Sequence, residues 1–189
     1  MKLATLALAL GLASPAFAAA PLSIDFEQDW GYGTPVDDTY AAQGVSFTNV
    51  LGLSNVDATP FYSNAPSSQG IAFAQLDGTV NQAAYMNVAA GVTGGLSFYY
   101  AGTDTAVVKA YSGVNGTGSL LGSITLTSTG GYDSWKQTVL SFGGSAKSFD
   151  LTATAGIAAL DNIAAVPEPS SVALLLAGGA LIAARRRRG

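Results

Sequence analysis

Neither cysteine nor histidine occurs anywhere in this 189-residue chain. The first absence excludes disulfides and thiolate metal sites, so stability has to come from packing and from any ion the fold can hold. The two absences together remove the usual zinc ligands, the commonest general base and the thiol nucleophile. Charge is sparse too, at 11% of residues. Between Ala19 and Val166, eleven acidic residues face only Lys109, Lys136 and Lys147, a net charge of about −8. A surface of that sign disfavours nucleic acid or anionic lipid as a partner and is compatible with metal cations or neutral polysaccharide. Glu27 is the only Glu in that stretch, so a two-carboxylate glycosidase would have to draw on its Asp residues. Asp37, Asp38 and Asp57 are the loop carboxylates open to a polysaccharide hydrolase, but an extended strand would point the neighbours Asp37 and Asp38 to opposite faces. No G-x-S-x-G elbow presents a serine nucleophile.

Hydrophobic runs are confined to the two ends. Lys2, the apolar stretch Leu3 to Leu12, the helix breaker Pro15 and the small residues Ala16-Phe17-Ala18 form a secretory signal peptide, residues 1–18. Cleavage is expected after Ala18, with Ala20 as the alternative. The Sec translocon and signal peptidase are the partners this implies. At the other end Val172 to Ala184 carries no charge and favours a helix. It covers only roughly 20 Å of a bilayer core about 30 Å thick. Extending it to about 170–184 and letting the following arginines snorkel narrows that gap, which suits a temporary anchor in the inner membrane. Arg185, Arg186, Arg187 and Arg188 would stay cytoplasmic, leaving everything upstream on the far side. Pro167-Glu168-Pro169 should be a stiff extended segment just outside the helix.

Proline-Glu-proline motif, apolar helix and basic cluster in this order, over residues 166–189, resemble the PEP-CTERM sorting signal. That resemblance implies a Gram-negative producer of exopolysaccharide and recognition by an exosortase, a membrane-embedded protease or transpeptidase that processes the tail near the motif. The implied destination is the cell surface or extracellular matrix.

The remainder, residues 19–165, is long enough to bury a core as one domain. Short stretches rich in Val, Ile, Thr, Phe and Tyr alternate with Gly, Asn, Asp and Ser. Ala106, Val108 and Ala110 fall on one face with Lys109 opposite; Gly122, Ile124 and Leu126 oppose Ser123, Thr125 and Thr127; Phe149, Leu151 and Ala153 oppose Ser148, Asp150 and Thr152. Further strands are expected near 22–27, 44–48, 70–75, 82–88, 94–101, 135–142 and 157–164. About ten strands at this spacing predict an all-β fold, a two-sheet antiparallel sandwich of jelly-roll type. Asn115-Gly116-Thr117-Gly118 should turn a hairpin. Asp29 to Tyr40 and Ser54 to Ser68 are the loop-rich segments where binding usually sits on such a scaffold.

Within the first strand Ser23, Asp25 and Glu27 share one face, so Glu27 emerges where the strand opens into the first loop. In the last strand Asp161 falls beside Ile157, Ala159 and Ile163, and a carboxylate among apolar neighbours needs a metal or several donors. Ile24-Asp25-Phe26-Glu27, Gly131 to Trp135 and Leu160-Asp161-Asn162-Ile163 resemble galactose-binding-like jelly rolls and related carbohydrate-binding modules. By position, that resemblance implies a structural Ca2+ on Glu27 and Asp161, with Asp25 as an addition. The alternative is a solvated Glu27 and an Asp161 that accepts backbone N–H bonds at a strand end. A sugar platform of aromatic faces is expected at Trp30 and Tyr32, whose Gly- and Asp-flanked loop should be exposed. Phe61 with Tyr62 and Tyr132 with Trp135 are further aromatic pairs, and Trp135 is expected in the core. The resulting expectation is an exosortase-sorted, non-catalytic protein that binds exopolysaccharide, a polysaccharide hydrolase or a purely structural matrix component being the alternatives.

Overall fold

The computed structural model describes residues 22–31, 34–54, 62–74 and 82–166. The expected signal peptide, Tyr32, Asp57, Phe61 and the tail from Pro167 onward, including Glu168, Pro169 and Arg185 to Arg188, lie outside the described residues. Ten strands form, all in antiparallel pairs: β1 (Ser23–Ile24), β2 (Thr34–Pro35), β3 (Val45–Thr48), β4 (Leu51–Ser54), β5 (Gly70–Phe73), β6 (Tyr85–Gly102), β7 (Ala106–Tyr111), β8 (Leu120–Leu126), β9 (Gly131–Asp150) and β10 (Ala158–Val166). Among the described residues no helix is long and apolar enough to cross a membrane.

The all-β antiparallel expectation holds, and the two layers turn out to be one continuous sheet. Its path runs β2-β4-β5-β10-β6-β9-β7-β8, with β1 added on β10 and β3 on β6. The long strands β6 and β9 carry the chain from one layer to the other. In β9 the rings of Phe142 and Phe149 lie 5.7 Å apart. Seven residues of straight strand would separate them by roughly 23 Å, so β9 folds back on itself between them. Gly143 and Gly144, the latter at φ 81°, occupy that corner. Opposite them the β6 register slips on either side of Val92-Thr93, where Gly91 and Gly94 take φ 77° and 86°. Glycines at paired corners let both strands switch layers without steric strain.

Between the layers lies the main core. Phe98, Tyr100, Leu96 and Leu140 of one half meet Met86, Val88, Phe149, Val108 and Ala110 of the other. Alternation on β7 is as read from the sequence, with Ala106, Val108 and Ala110 buried and Lys109 outward. β9 ends earlier than expected: a 3₁₀ turn at Thr152–Thr154 reverses the alternation, so Thr154 is buried where Ala153 was expected. A second, smaller cluster of Tyr62, Ile71, Phe73 and Ala159 sits on the outer face of the β5-β10 layer, covered in part by Leu53, Ala65, Tyr132 and Trp135.

Candidate functional site

Two arrangements on this scaffold carry chemistry: a pair of carboxylates that grips a loop, and an outward aromatic row beside it.

Chain geometry brings the first strand and the last together. Ser23 and Ile24 pair with Ala164 and Ile163. Ile24 and Phe26 point into the core while Asp25 is exposed, as the alternation requires. Phe26 then adopts φ 57°, an unusual conformation for a bulky residue. The turn aims its carbonyl at the Gln28 N–H (2.7 Å) and the Trp30 Nε1–H (2.8 Å). In β10 the expected grouping of Asp161 with both Ala159 and Ile163 does not form. Asn162 at φ 48° makes a bulge, so Ala159 joins the outer cluster and Ile163 the main core. Asn tolerates this left-handed geometry better than most residues. Asp161 therefore faces outward, beneath the segment Ser67–Gly70.

Both carboxylates hold that segment. Ser67 N–H donates to Asp161 Oδ2 (2.9 Å), and Asn162 N–H to Asp161 Oδ1 (2.7 Å). Gln69 and Gly70 N–H groups donate to Glu27 Oε1 at 2.7 and 3.1 Å, and Ser68 Oγ lies 3.3 Å from Oε2. Burial works to raise the Glu27 carboxyl, but these N–H groups, with the Ser67 and Ser68 hydroxyls, outweigh it and hold Glu27 below its ordinary value. Asp161 is 0% exposed. Burial pushes it up to about 6 against the donors from Ser67 and Asn162, and the nearby Glu27 charge adds to the rise.

The oxygens here outnumber the protons. Ser67 Oγ lies 2.6 Å from Asp161 Oδ1 and 2.8 Å from the Asp25 carbonyl oxygen, and one hydroxyl proton cannot serve both. The Tyr40 hydroxyl is buried with no well-aligned hydrogen-bond partner among the described residues, and its pKa is pushed up to about 12 by burial and by the negative charges of Asp25 and Asp161, against weaker contacts with Gln28 and the Phe26 backbone. A hard cation fits such a set in kind: two carboxylates, a backbone carbonyl and a hydroxyl, all oxygen. Asp25 faces this set with its carbonyl oxygen, not its carboxylate. Its exposed carboxylate accepts the Glu27 N–H at 3.2 Å, and among the described residues no three acidic side chains form a metal-holding group.

Trp30 is not the exposed platform the sequence suggested. It is 3% exposed, its indole N–H tied to Phe26 and its ring laid over Gly52, where an added Cβ would meet Cδ2 at 2.0 Å. The glycine that decides the packing is Gly52 of β4, distant in sequence, whose missing side chain makes room for the ring. Trp135, expected in the core, is only half-buried. Its Nε1–H donates to the Ser63 carbonyl at 2.9 Å, and its ring meets Tyr62 edge-on at 6.4 Å. Two residues along β9, Gln137 stands opposite Tyr99 of β6, and next Val139 stands opposite Ser97. Tyr99 is half-buried on the outer face while Tyr100 is in the core. Trp135, Tyr99, Gln137, Ser97 and Val139 thus share the outer face of the β6-β9 pair, a row with two aromatic side chains. Asp37 and Asp38 are exposed turn residues whose carbonyls accept the Phe47 and Ala41 N–H groups.

Comparison with known proteins bears on the two ends of this description. Residues 165–188 match the PEP-CTERM protein-sorting motif. A motif of this kind implies export and handling by an exosortase. No curated protein sequence matches the chain. Among solved structures, similarity extends to a β-1,3-glucan-binding CBM6 from Bacillus halodurans at 11% identity, covering 64% of this chain and 87% of that one, TM-score 0.46. A CBM35 from Paenibacillus barcinonensis shares 19% identity over 78% of this chain and 99% of its own, TM-score 0.43. A Stig cyclase from Fischerella shares 13% identity over 79% and 100%, TM-score 0.48.

Proposed function

We propose that this protein is exported through the Sec translocon of a Gram-negative bacterium, trimmed by signal peptidase, held in the inner membrane by its tail helix and processed by an exosortase near Pro167-Glu168-Pro169. The mature, jelly-roll-like domain then works at the cell surface or in the extracellular matrix. The match of residues 165–188 to the sorting motif carries this reading. Intact mass of the protein recovered outside its own cells tests it. A chain starting at Ala19 and ending near the motif is expected; a mass that keeps the helix and Arg185 to Arg188, found only in membranes, would overturn it.

Within that setting the domain binds exopolysaccharide without catalysis. Pyranose rings lie against aromatic faces, and the outer row offers Trp135 held in place by Ser63, with Gln137 and Ser97 beside it to meet hydroxyls. Affinity electrophoresis in gels containing the producer's exopolysaccharide is the test. Wild type should be retarded and Trp135→Ala should run freely with an unchanged fold. Equal retardation of the two would remove the row from the account.

The cation reading belongs to the same proposal. Ca2+ would be held by Glu27, Asp161 and the Asp25 carbonyl, and when bound it supplies the positive charge that these oxygens lack. The chain's own contribution is to position them: the Phe26 turn sets Asp25 and Glu27, and the Asn162 bulge turns Asp161 outward. A structural role follows, since the same carboxylates anchor Ser67–Gly70.

A further inference from the structure

A folded sheet that does not close into a barrel has edges, and an open edge pairs with other chains unless it is blocked. Several edges here are blocked. β2 has two residues, one of them Pro35. β1 also has only two. The outer side of β3 is covered by its own chain, since Val45 N–H donates to Tyr40 O (3.2 Å) and Phe47 N–H to Asp37 O (2.8 Å). β8 is different. It runs seven residues at the end of the sheet, and among the described residues it pairs only with β7.

None of the usual protections is present beyond its first turn of ladder. A bulge opposite Ala110-Tyr111 interrupts the start of β8, but Gly122 to Leu126 pair in regular register and contain no Pro, Lys or Glu. From Ala110 through Tyr132 no residue is charged. Exposed large apolar side chains collect in the same place: of the three among the described residues, Val114 (47%) and Leu120 (56%) belong to the β7–β8 hairpin.

We propose that β8 pairs antiparallel with β8 of a second copy of this chain, joining two folded sheets across a two-fold axis. Identical strands in antiparallel register are self-complementary, so one patch meets itself and the assembly closes as a dimer. Charge points to a copy of the same chain. With a net charge of about −8 between Ala19 and Val166, two domains repel over most orientations, and the uncharged hairpin is where they approach without that repulsion. Alternate residues of β8 turn their N–H and C=O groups away from β7, which supplies the ladder.

Sedimentation velocity on the exported protein over a wide concentration range tests this, with hydrogen exchange on the same samples. Wild type should pass from monomer to dimer as concentration rises, with the β8 amides that face away from β7 protected only in the dimer. Leu120→Lys with Thr125→Lys, both exposed positions, should weaken dimerisation by at least about tenfold through like charges facing across the axis. Thr39→Lys with Gln43→Lys adds the same charge on an exposed turn and should leave the dimer intact or tighten it. A monomer at every concentration, or a dimer unmoved by lysines in β8, would overturn the proposal. So would protection in the monomer of the β8 amides that face away from β7, because another segment of the same chain would then cover the edge. Should the β8 variant fail to fold, the exchange data on wild type still decide.

Discussion

Acidification from pH 7 to pH 5 in the presence of a chelator should stabilise this domain, and Asp161 is the reason. Its folded pKa of about 6 lies above its ordinary 3.8, so the native state holds a proton that the unfolded chain releases between about pH 4 and 6. Stability from this group is therefore gained as pH falls through that window and lost as it rises. Geometry accommodates the proton. A hydrogen on Asp161 Oδ1 can donate to Ser67 Oγ, freeing the Ser67 hydroxyl for the Asp25 carbonyl, while both backbone N–H bonds to Asp161 remain. Between pH 7 and 5 the two pKa values give on the order of 1 kcal/mol of extra stability. For a domain of this size that is about 3–5 °C in melting midpoint. Glu27, held below its ordinary value, loses its contribution only as pH falls further, so it does not oppose the effect in this range. Thermal melts at the two pH values, wild type beside Asp161→Ala, provide the assay. The variant should melt lower overall, since it drops three hydrogen bonds to the Ser67 and Asn162 groups, and it should show no gain on acidification. With Ca2+ in place of chelator the wild-type slope should reverse, because the cation competes with the proton and binds better at pH 7. A wild-type midpoint in chelator that is equal or lower at pH 5 would refute the reasoning.

Tyr40→Phe removes a buried hydroxyl that has no well-aligned partner among the described residues, so in chelator it should be neutral or raise stability by up to about 1–3 kcal/mol; denaturant melts would show a loss instead if the contacts with Gln28 and the Phe26 backbone satisfied that oxygen. Gly52→Ala drives a methyl group into the Trp30 ring, and an indole pinned to Phe26 cannot swing clear, so it should cost about 1–3 kcal/mol or more by the same measurement. Ser67→Ala should loosen the clamp without unfolding the core. Faster limited proteolysis between residues 62 and 70 at an unchanged global unfolding rate is the expected signature, and equal cleavage of wild type and variant would show that the backbone bonds to Glu27 hold the loop alone.

How much of this was legible in the sequence depended on whether side-chain parity survived along each strand. Where it did, as in Ala106 to Ala110 and in Ile24 to Phe26, strand, buried face and outward residue all follow from the letters. Parity failed at specific residues. Asn162 inserts a bulge and separates Asp161 from Ile163; Thr152–Thr154 turns where alternation predicted strand; the corner glycines join what read as four strands into β6 and β9. Gly143-Gly144 and Gly94-Gly95 were visible signals for those corners, but which glycines face a bend and which a turn is decided by the layer packed opposite. The candidate site shows the same division. Glu27 and Asp161 were identifiable as a carboxylate at a strand exit and a carboxylate among apolar neighbours. Ser67 to Gly70, the segment they hold, was not, because its role is carried largely by backbone N–H groups that any residue but proline would supply. Trp30 was misplaced for a related reason: the partner that buries it is the missing side chain of Gly52, and an absent Cβ leaves no hydrophobic pattern to read. Functional inference from a sequence of this kind is therefore strongest for covalently contiguous signals such as the C-terminal motif, and weakest where backbone groups distant in sequence complete the site.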